Sequence, residues 1–261
     1  MKGRIDLARR ILVTGGAGFI GSTLIKHLLE KTNLEIFNID KLGFASDLRG
    51  LENHKNRTRH HLIKLDLFKY AETIDLVKNI NPDLIIHLAA ESHVDRSITN
   101  PKNFLNSNVI GTFNLLSAAK VHYEILNEKR QSNFIFHHVS TDEVFGTVAN
   151  NRKFSEETSY DPRSPYSATK AASDHLVKSW FHTFKLPTLI TNCSNNYGPW
   201  QYPEKLIPKI ITNSLTHKTI PIYGDGMNIR DWLYVDDHIN ALSLVLNFGR
   251  SGETYCIGGN S

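Results

Sequence analysis

Cysteine is scarce in this chain: only Cys193 and Cys256 occur in 261 residues, and no Cys-x-x-Cys pair is present. This scarcity argues against a disulfide framework and a zinc site, and it suits a reducing compartment. No apolar run approaches the ~18 residues that a membrane helix needs. The N-terminus also runs from charged residues straight into glycines, without the apolar core of a signal peptide. We therefore expect a cytoplasmic protein that has no metal site and no membrane partner.

The chain also has no large excess of charge of one sign. The 30 basic and 26 acidic residues leave a formal charge of +4, and hydrophobic residues make up 40% of the chain, as in ordinary globular proteins. The densest basic stretch, residues 53–61, is short, and no nucleic-acid-binding motif surrounds it. The composition therefore predicts a globular protein that does not bind nucleic acid.

The sequence does contain a regular alternation of short apolar runs and helix-like stretches. The strand-like runs occur at 10–15, 34–40, 61–66, 83–90, 133–140 and 186–194. Strands that alternate with helices form right-handed βαβ crossovers, which produce a parallel sheet covered by helices on both faces. We therefore predict an α/β fold with a Rossmann-like, doubly wound parallel sheet, formed by a first domain over residues 1–195.

The regular alternation of strand-like runs and helix-like stretches ends after residue 195. A turn-rich stretch leads to a short helix at 205–215, and residues 219–237 have the pattern of two short strands around a Gly-Asp-Gly turn. A helix at 238–248 and a last strand at 253–259 follow. These features predict a smaller second domain, a lobe formed by residues 196–261.

A glycine-rich turn joins the first strand to the first helix. In "TGGAGFIG", Gly15, Gly18 and Gly21 have the spacing of a dinucleotide-binding turn, which aims the N–H groups of a helix N-terminus at a pyrophosphate. Asp40 closes the second strand, where a carboxylate binds both ribose hydroxyls of NAD and repels the 2′-phosphate of NADP. Lys41 tempers this preference. The first domain is therefore predicted to bind NAD, and the further cofactor candidates are Phe19, Ile20, Lys41, Asp66, Leu67, Leu88, Ala89 and Ala90.

The motif "YSATK" places Tyr166 and Lys170 four residues apart in a helix-like segment, residues 164–184. At this spacing the phenol and the ammonium lie on one face of the helix. A free phenol, with a pKa near 10, is a poor base at neutral pH, but a cation held at ~4 Å can lower that pKa by about three units. Together with the glycine turn, the pair predicts that Tyr166 takes the proton of a substrate alcohol beside the cofactor.

The stretch "STDEVFG" follows the apolar run at 133–140 and places Thr141, Asp142 and Glu143 where a parallel sheet presents its ligand. Two carboxylates in different environments can divide the work of a general acid and a general base. Alone, the Asp-Glu pair is equally typical of a solvated acidic turn or a helix cap. The combination with Tyr166 and Lys170 favours a catalytic site.

Seven motifs, in order along nearly the whole chain, resemble the extended short-chain dehydrogenase/reductase superfamily and, within it, the dTDP-glucose 4,6-dehydratase family. They are "TGGAGFIG", "HLAAESHVDRS", "STDEVFG", "YSATK", "NCSNNYGP", "PEKLIP" and "RDWLYVDDH". The first and fourth are common to the superfamily, whereas "STDEVFG" with "AAESHVDRS" is more specific. The resemblance implies an NAD-dependent hydro-lyase that oxidises C4 of a nucleotide-activated glucose, removes water across C5–C6 and returns the hydride to C6. It also implies that Asp142 is the acid at O6, Glu143 the base at C5, and Thr141 a hydrogen-bonding partner of the C4 oxygen.

The resemblance further implies contacts outside these motif centres. Ser92 and Asn108 would support the cofactor, Asn196 would contact it, and Ser92 would also touch the sugar. The other substrate candidates implied in this way are His93, Asn195, Lys205, Leu206, Pro221, Ile222, Tyr223 and Arg230. Family members pair as homodimers through helices that resemble 101–122 and 164–184, so we expect a homodimer.

Two departures from the family and several alternatives remain. The stretch "GFAS" at 43–46 replaces the usual Thr-Tyr-Ala-Gly, and we expect looser contacts near the adenosine. Family members also continue past the strand at 253–259, so the substrate lobe is expected to be incomplete. A nucleotide-sugar 4-epimerase, a UDP-sugar decarboxylase, a GDP-mannose dehydratase and a non-catalytic NAD-binding protein all stay open, as does the identity of the nucleotide.

Overall fold

The computed structural model describes residues 2–52, 54, 56–147, 153–222 and 225–260. Its strands are β1 (Arg10–Thr14), β2 (Glu35–Asp40), β3 (His60–Lys64), β4 (Leu84–His87), β5 (Ile135–Thr141), β6 (Thr188–Cys193), β7 (Asn195–Tyr197), β8 (Trp232–Tyr234) and β9 (Thr254–Ile257). Seven of them form one parallel sheet in the order β3-β2-β1-β4-β5-β6-β9, while β7 and β8 pair separately. This is a Rossmann-like sheet, as the alternation of runs predicted.

Helices cover both faces of the sheet. They are α1 (Arg4–Leu7), α2 (Phe19–Lys31), α3 (Tyr70–Ile80), α4 (Val94–Thr99), α5 (Pro101–Phe104), α6 (Gly111–Glu124), α7 (Glu128–Gln131), α8 (Pro165–Phe184), α9 (Leu206–Leu215) and α10 (Val235–Phe248). A π-helical turn at Leu105–Ile110 joins α5 to α6, and short 3-10 turns lie at Arg57–Arg59 and Asp142–Phe145. None of the helices in the described part of the chain is long and apolar enough to cross a membrane.

The core has two layers because successive side chains of a strand point to opposite faces of the sheet. In β1, Ile11 and Val13 pack beneath α2 and α10, whereas Leu12 packs with the apolar side chains of α3, α6 and α8. Every residue of β4 and β5 is buried. Complete burial of each large aliphatic side chain contributes roughly 1.5–3 kcal/mol, so both layers stabilise the same central strands.

The six strands predicted before residue 195 are all confirmed, and each contains fewer residues than the apolar run that predicted it. Two strands were expected in 219–237, and residues 223 and 224 of that stretch lie outside the described residues. Only β8 forms there among the described residues, and its partner is β7, in the stretch that looked turn-rich. Pairing with β7 occurs because β8 returns to the carboxyl end of β6, a long-range contact that local patterns do not carry.

The segment assigned to a second lobe, residues 196–261, is divided in the structure. The strand β9 pairs with β6 at the edge of the main sheet, and α10 packs on α2 with Ile239, Leu242 and Leu246 buried in the core. Residues 235–257 therefore lie with the sheet of the first domain, because their apolar faces are buried against it. Of the predicted lobe, α9 has no buried residue.

The order in which strands are added to the sheet reverses between β1 and β4, because β2 and β3 follow on one side of β1 and β4, β5 and β6 follow on the other. Loops that leave the carboxyl ends of these two strands turn to opposite sides and leave a crevice. In open parallel sheets this is the place where ligands bind.

Candidate active site

A cavity of about 450 Å³ opens at this crevice. The predicted cofactor residues that line it are Gly15, Gly18, Phe19, Ile20, Gly21, Asp40, Lys41, Asp66, Leu67, Leu88, Ala89, Ala90, Ser92, Tyr166, Lys170 and Asn196. These residues come from the ends of five strands and from two helices, so the fold assembles at one place what the sequence distributes over nearly 200 positions. Asn108 is the one cofactor candidate that lies outside the cavity wall.

The glycine turn is packed too tightly for side chains. Gly15 has a φ of 73°, and a Cβ there would lie 2.6 Å from the backbone nitrogen of Ala89 at the end of β4. A Cβ on Gly21 would lie 2.2 Å from the carbonyl oxygen of Gly15. The absence of side chains lets α2 begin directly behind the turn, after Gly18 as its N-cap. The free N–H groups of its first turn then face the cavity, as a pyrophosphate requires.

Asp40 joins the glycine turn to the loop that follows β2. One carboxylate oxygen, Oδ2, accepts a hydrogen bond from the N–H of Ala17 at 2.9 Å, and Oδ1 accepts from the N–H of Leu42 at 2.7 Å and the hydroxyl of Ser46 at 3.1 Å. The side chain is thus held with its charge at the cavity wall. This geometry suits the ribose hydroxyls of a dinucleotide and repels a 2′-phosphate.

Lys41, which was expected to temper the preference for NAD, forms an ion pair with Glu91 at the other side of the cavity wall. Its positive charge is therefore offset within the protein. The preference that Asp40 establishes is opposed less than the sequence alone indicated.

Asn108 does not line the cofactor cavity but holds a loop that does. It lies in the π-helical turn, is 2% exposed, and its Oδ1 accepts a hydrogen bond from the N–H of Glu91 at 2.8 Å. Its Nδ2 donates to the carbonyl of Glu91 at 3.0 Å and to the hydroxyl of Thr169 at 2.9 Å. The prediction of cofactor support is thus refined: Asn108 fixes the loop after β4 to α8, and its amide is fully occupied by that task.

The "STDEVFG" stretch is shaped by the end of β5. Thr141 is the last residue of the strand and caps the 3-10 turn Asp142–Phe145, since its hydroxyl accepts a hydrogen bond from the N–H of Glu143 at 3.3 Å. The same hydroxyl donates to Asp142 Oδ1 at 3.3 Å, and Thr141 shares the wall of the large cavity with Tyr166. The structure therefore brings together Thr141, both carboxyls and Tyr166, as predicted from two separate motifs.

The two carboxyls have different environments. Burial, and then the charge of Glu143, raise the pKa of Asp142 to about 6. Burial also raises the pKa of Glu143, but the charges of Arg230 and Lys205 oppose the increase. Glu143 lies in the cavity wall and Asp142 behind it. The raised pKa of Asp142 makes this carboxyl a candidate proton donor near neutral pH, and the cations Arg230 and Lys205 favour the charged, basic form of Glu143.

Tyr166 and Lys170 lie on one face of α8, and both line the cavity. The expected lowering of the phenol's pKa is not present, because burial, followed by the charge of Glu143, raises the pKa of Tyr166 well above its ordinary value. The ammonium of Lys170 donates to the carbonyl of Val139 at 2.8 Å and lies 3.3 Å from Nε2 of His138. In this state the phenol is protonated, and a further positive charge is needed to make it a base.

A second cavity, of about 280 Å³, adjoins the first and contains most of the predicted nucleotide contacts. The predicted substrate residues in its wall are His93, Lys205, Leu206, Pro221 and Arg230, while Asn195 lines the first cavity. Ile222 lies outside both walls and is 75% exposed. Tyr223 lies outside the described residues. The two cavities share His93, Lys205 and Leu206, so they form one continuous cleft.

Sequence reasoning missed Glu204, which lines both cavities. Its carboxylate pairs with Nε2 of His93 at 3.3 Å and with the guanidinium of Arg96 at 3.5 Å. It therefore connects the loop after β4 with the segment that precedes α9. The motif "PEKLIP" contained the signal, but its charge pattern does not disclose which distant residues it meets.

The stretch "GFAS" is also better anchored than expected. The ring of Phe44 lies 4.8 Å from that of Tyr202, and the guanidinium of Arg96 lies 3.5 Å from its centroid. All three side chains line the large cavity. Cys193, a further missed residue, lies in the same wall, where burial raises its pKa to about 12 and keeps the thiol protonated. Within the described ranges, no group of three or more His, Cys, Asp and Glu side chains is placed to hold a metal ion.

Comparison with known proteins is consistent with this geometry. A family model described as GDP-mannose 4,6 dehydratase matches residues 12–261. The chain is 49% identical to dTDP-glucose 4,6-dehydratase of Salmonella typhimurium, over 97% of this chain and 72% of that protein. It resembles the dTDP-glucose 4,6-dehydratase of Bacillus anthracis solved in complex with NAD, with a TM-score of 0.86 and 40% identity over 97% of this chain and 76% of that one. It also resembles the Streptomyces venezuelae enzyme solved with NAD and TYD bound, with a TM-score of 0.87 and 40% identity over 95% and 75% of the two chains. The chain therefore belongs to the dTDP-glucose 4,6-dehydratase family of the extended short-chain dehydrogenases/reductases.

Proposed function

We propose that the protein converts dTDP-glucose to dTDP-4-keto-6-deoxyglucose. The reaction oxidises C4, which makes the C5 hydrogen acidic, and then expels the C6 hydroxyl as water and reduces C6. The observation that carries this proposal is the pair Asp142 and Glu143 beside Tyr166, with the pKa of Asp142 raised to about 6. Epimerisation at C4 needs no such acid–base pair, whereas loss of water requires both members.

The cavity fits NAD on three counts: a glycine turn with no room for side chains, the N-terminus of α2 behind it, and the carboxylate of Asp40 at the end of β2. NAD bound there would take the hydride from C4, place a positive charge near Tyr166, and later return the hydride to C6. The relatives in this family are NAD-dependent hydro-lyases by name or by the cofactor in their structures.

The chain's own residues can then divide the proton transfers. Tyr166 takes the proton of the C4 hydroxyl, and Thr141, which lines the same cavity wall, holds the C4 oxygen. Glu143, in the cavity wall, removes the C5 proton and returns a proton to C5 when the hydride adds to C6. Asp142 protonates the departing C6 oxygen, since its raised pKa leaves a protonated fraction near neutral pH that an ordinary carboxyl lacks.

The second cavity provides the contacts for the nucleotide diphosphate. Arg230 can grip phosphate oxygens with two hydrogen bonds, and Lys205 adds a point charge at the junction of the two cavities. These cations also act on Glu143. Binding of a diphosphate between them would weaken their hold on Glu143 and so make that carboxylate a stronger base.

Incubation with dTDP-glucose and NAD tests the proposal. We expect a product whose NMR spectrum shows a C4 carbonyl and a C6 methyl group. Glu143→Gln should abolish it, whereas Glu128→Gln, an exposed residue on α7, should not. A product that differs only in C4 stereochemistry would indicate an epimerase, and release of CO₂ from a UDP-sugar acid would indicate a decarboxylase. Absence of any product from dTDP-, UDP- and GDP-hexoses would leave only a non-catalytic NAD-binding role.

We also propose that two copies of the chain pair through α6 and α8. Val121 and Phe184 are exposed on these helices and Ile125 directly after α6, and a second copy would cover this apolar surface. Val121→Asp should then lower the molar mass measured by light scattering, whereas Leu215→Asp, an exposed position on α9, should not. A wild-type protein of monomer mass at high concentration would contradict the homodimer.

A cytoplasmic location completes the proposal, because both cysteines are unpaired and a reducing compartment keeps them so. Expression of a fluorescent fusion, with fractionation of the cells, would check it. Recovery in an oxidising compartment would contradict it.

A further inference from the structure

Beneath the cavity, Lys170 lies against a buried carboxylate to which the steps above assign no role. Lys170 is 4% exposed, and its ammonium lies 3.3 Å from Nε2 of His138. The same Nε2 lies 3.3 Å from Oδ1 of Asp174, one helical turn further along α8. Asp174 has no exposed surface. The three groups form a row from the catalytic helix face into the core.

Asp174 is surrounded by donors that favour its charged form. Its Oδ2 accepts hydrogen bonds from the hydroxyl of Ser140 at 2.9 Å, the phenol of Tyr160 at 2.9 Å and the amide of Asn192 at 3.3 Å. These donors come from β5, from the loop before α8 and from β6. Burying a charged carboxylate costs free energy, which its hydrogen-bond donors must offset. The supply of donors from three separate elements indicates that this charge has a role in the protein.

The charges of Lys170 and Asp174 depend on each other. Burial lowers the pKa of Lys170, and the charge of Asp174 opposes that change. Burial would raise the pKa of Asp174, but its close approach to His138, followed by the charge of Lys170 and the hydrogen bond from Ser140, brings it below its usual value. Burial also lowers the pKa of His138 to about 4, so the ring is neutral near pH 7. The row therefore contains one ammonium, one neutral ring and one carboxylate.

Other titratable groups also face Lys170 or its neighbour Tyr166. They are His87 from β4, Cys193 from β6, and Asp142 and Glu143 from the 3-10 turn. Burial keeps the first neutral and the second protonated. The two carboxyls oppose ionisation of the phenol. Asp174 differs from these four groups. Its charge favours the protonated form of Lys170, and it is not one of the charges that act on the phenol of Tyr166.

We propose that Asp174 is a positioning residue for the reaction: its charge keeps Lys170 protonated, and the ring of His138, which contacts both groups, holds the ammonium at the cavity wall that Lys170 shares with Tyr166. The inference rests on the proposed function, since it concerns the base of that reaction. Without the carboxylate, the buried amine loses its proton more readily, and the cavity wall that holds Tyr166 and Glu143 loses the positive charge of Lys170. The phenol would ionise only at higher pH.

The test compares Asp174→Asn with the wild type and with Asp75→Asn, an exposed aspartate on α3. We measure kcat for dTDP-glucose across the pH range in the NAD-loaded protein, together with thermal unfolding. Asp174→Asn should move the acidic limb of the profile upward by at least about one pH unit and lower kcat near neutral pH at least about tenfold. Asp75→Asn should leave the limb in place. A uniform loss of activity with an unmoved limb would show that Asp174 is only structural, and would overturn the proposal.

Two further measurements keep the inference independent of folding and of turnover. If Asp174→Asn does not fold, the double variant Ser140→Ala with Tyr160→Phe removes two donors from Oδ2 and must move the limb in the same direction. If the wild type does not dehydrate dTDP-glucose, the proposed function fails, but the charge of Lys170 can still be tested. Tyrosinate absorbance of the NAD-loaded protein, taken as the difference from Tyr166→Phe, should show a higher phenol pKa in Asp174→Asn. An unchanged value would refute the inference.

Discussion

Replacing Asp142 by asparagine should stabilise the ligand-free protein above about pH 6 while it removes dehydration. Burial and the neighbouring charge of Glu143 raise the pKa of Asp142 from 3.8 to about 6. The difference between these values corresponds to roughly 3 kcal/mol by which ionisation of Asp142 opposes folding. Asparagine keeps the shape of the side chain and cannot ionise, so it removes this cost. It also removes the proton donor that we propose for the C6 oxygen.

The direction of the pH dependence follows from the raised pKa. A group that holds its proton more tightly in the folded state contributes its full stability below the unfolded-state pKa and loses it as the pH rises through the folded-state value. The wild type should therefore match the variant near pH ~4 and become less stable up to about pH 6, with a constant difference above. Because part of the carboxyl contacts solvent, we expect a gain of about 1–3 kcal/mol in the variant.

Urea unfolding at several pH values measures this difference. Asp75→Asn, at an exposed site on α3, is the matched control and should follow the wild type at every pH. The activity of Asp142→Asn should fall by at least about 10² at all pH values. A variant that is no more stable than the wild type at about pH 8 would refute the claim that the site opposes ionisation of this carboxyl.

Three further predictions concern the base, the cofactor turn and the phosphate site. Glu143→Gln should lower kcat by about 10²–10⁴ while C4 oxidation continues. Reduced cofactor should therefore accumulate and be detected by its absorbance. If no such absorbance appears, Glu143 is not the C5 base. Gly21→Ala would place a Cβ 2.2 Å from the carbonyl of Gly15, and NAD content after purification should drop sharply, whereas Gly43→Ala, whose Cβ meets only the flexible Lys41 side chain at 3.3 Å, should retain it. Arg230→Ala should raise KM for dTDP-glucose about tenfold or more with a smaller effect on kcat; an unchanged KM would remove Arg230 from the phosphate site.

The predictions that held were those based on short spacing. The alternation of runs predicted six of the seven strands of the main sheet within a few residues, and the turn "TGGAGFIG" lies between β1 and α2 as expected. Tyr166 and Lys170 share a helix face because four residues make about one turn. The predictions that needed change involved distant partners: β8 pairs with β7, and β9 joins the sheet at β6.

The pKa values of the candidate catalytic groups also depend on distant partners rather than on short spacing. Spacing alone indicated that Lys170 would lower the pKa of Tyr166, but the structure places Glu143 against the phenol and directs the ammonium to Val139 and His138. A shift of pKa depends on burial and on every charge within a few ångströms. Those neighbours come from strands and turns that are far apart in sequence, so no local motif contains them.

The sequence by itself therefore determined the class of fold, the cofactor turn and the identity of the groups that can do the chemistry, because periodicity and short spacings act within single elements. Only the tertiary structure decided that Asp142 is the stronger candidate for the acid, that Glu204 links the two cavities, and that Asp174 lies behind Lys170. Each of these depends on which strands are neighbours in the sheet and how deeply a side chain is buried between them.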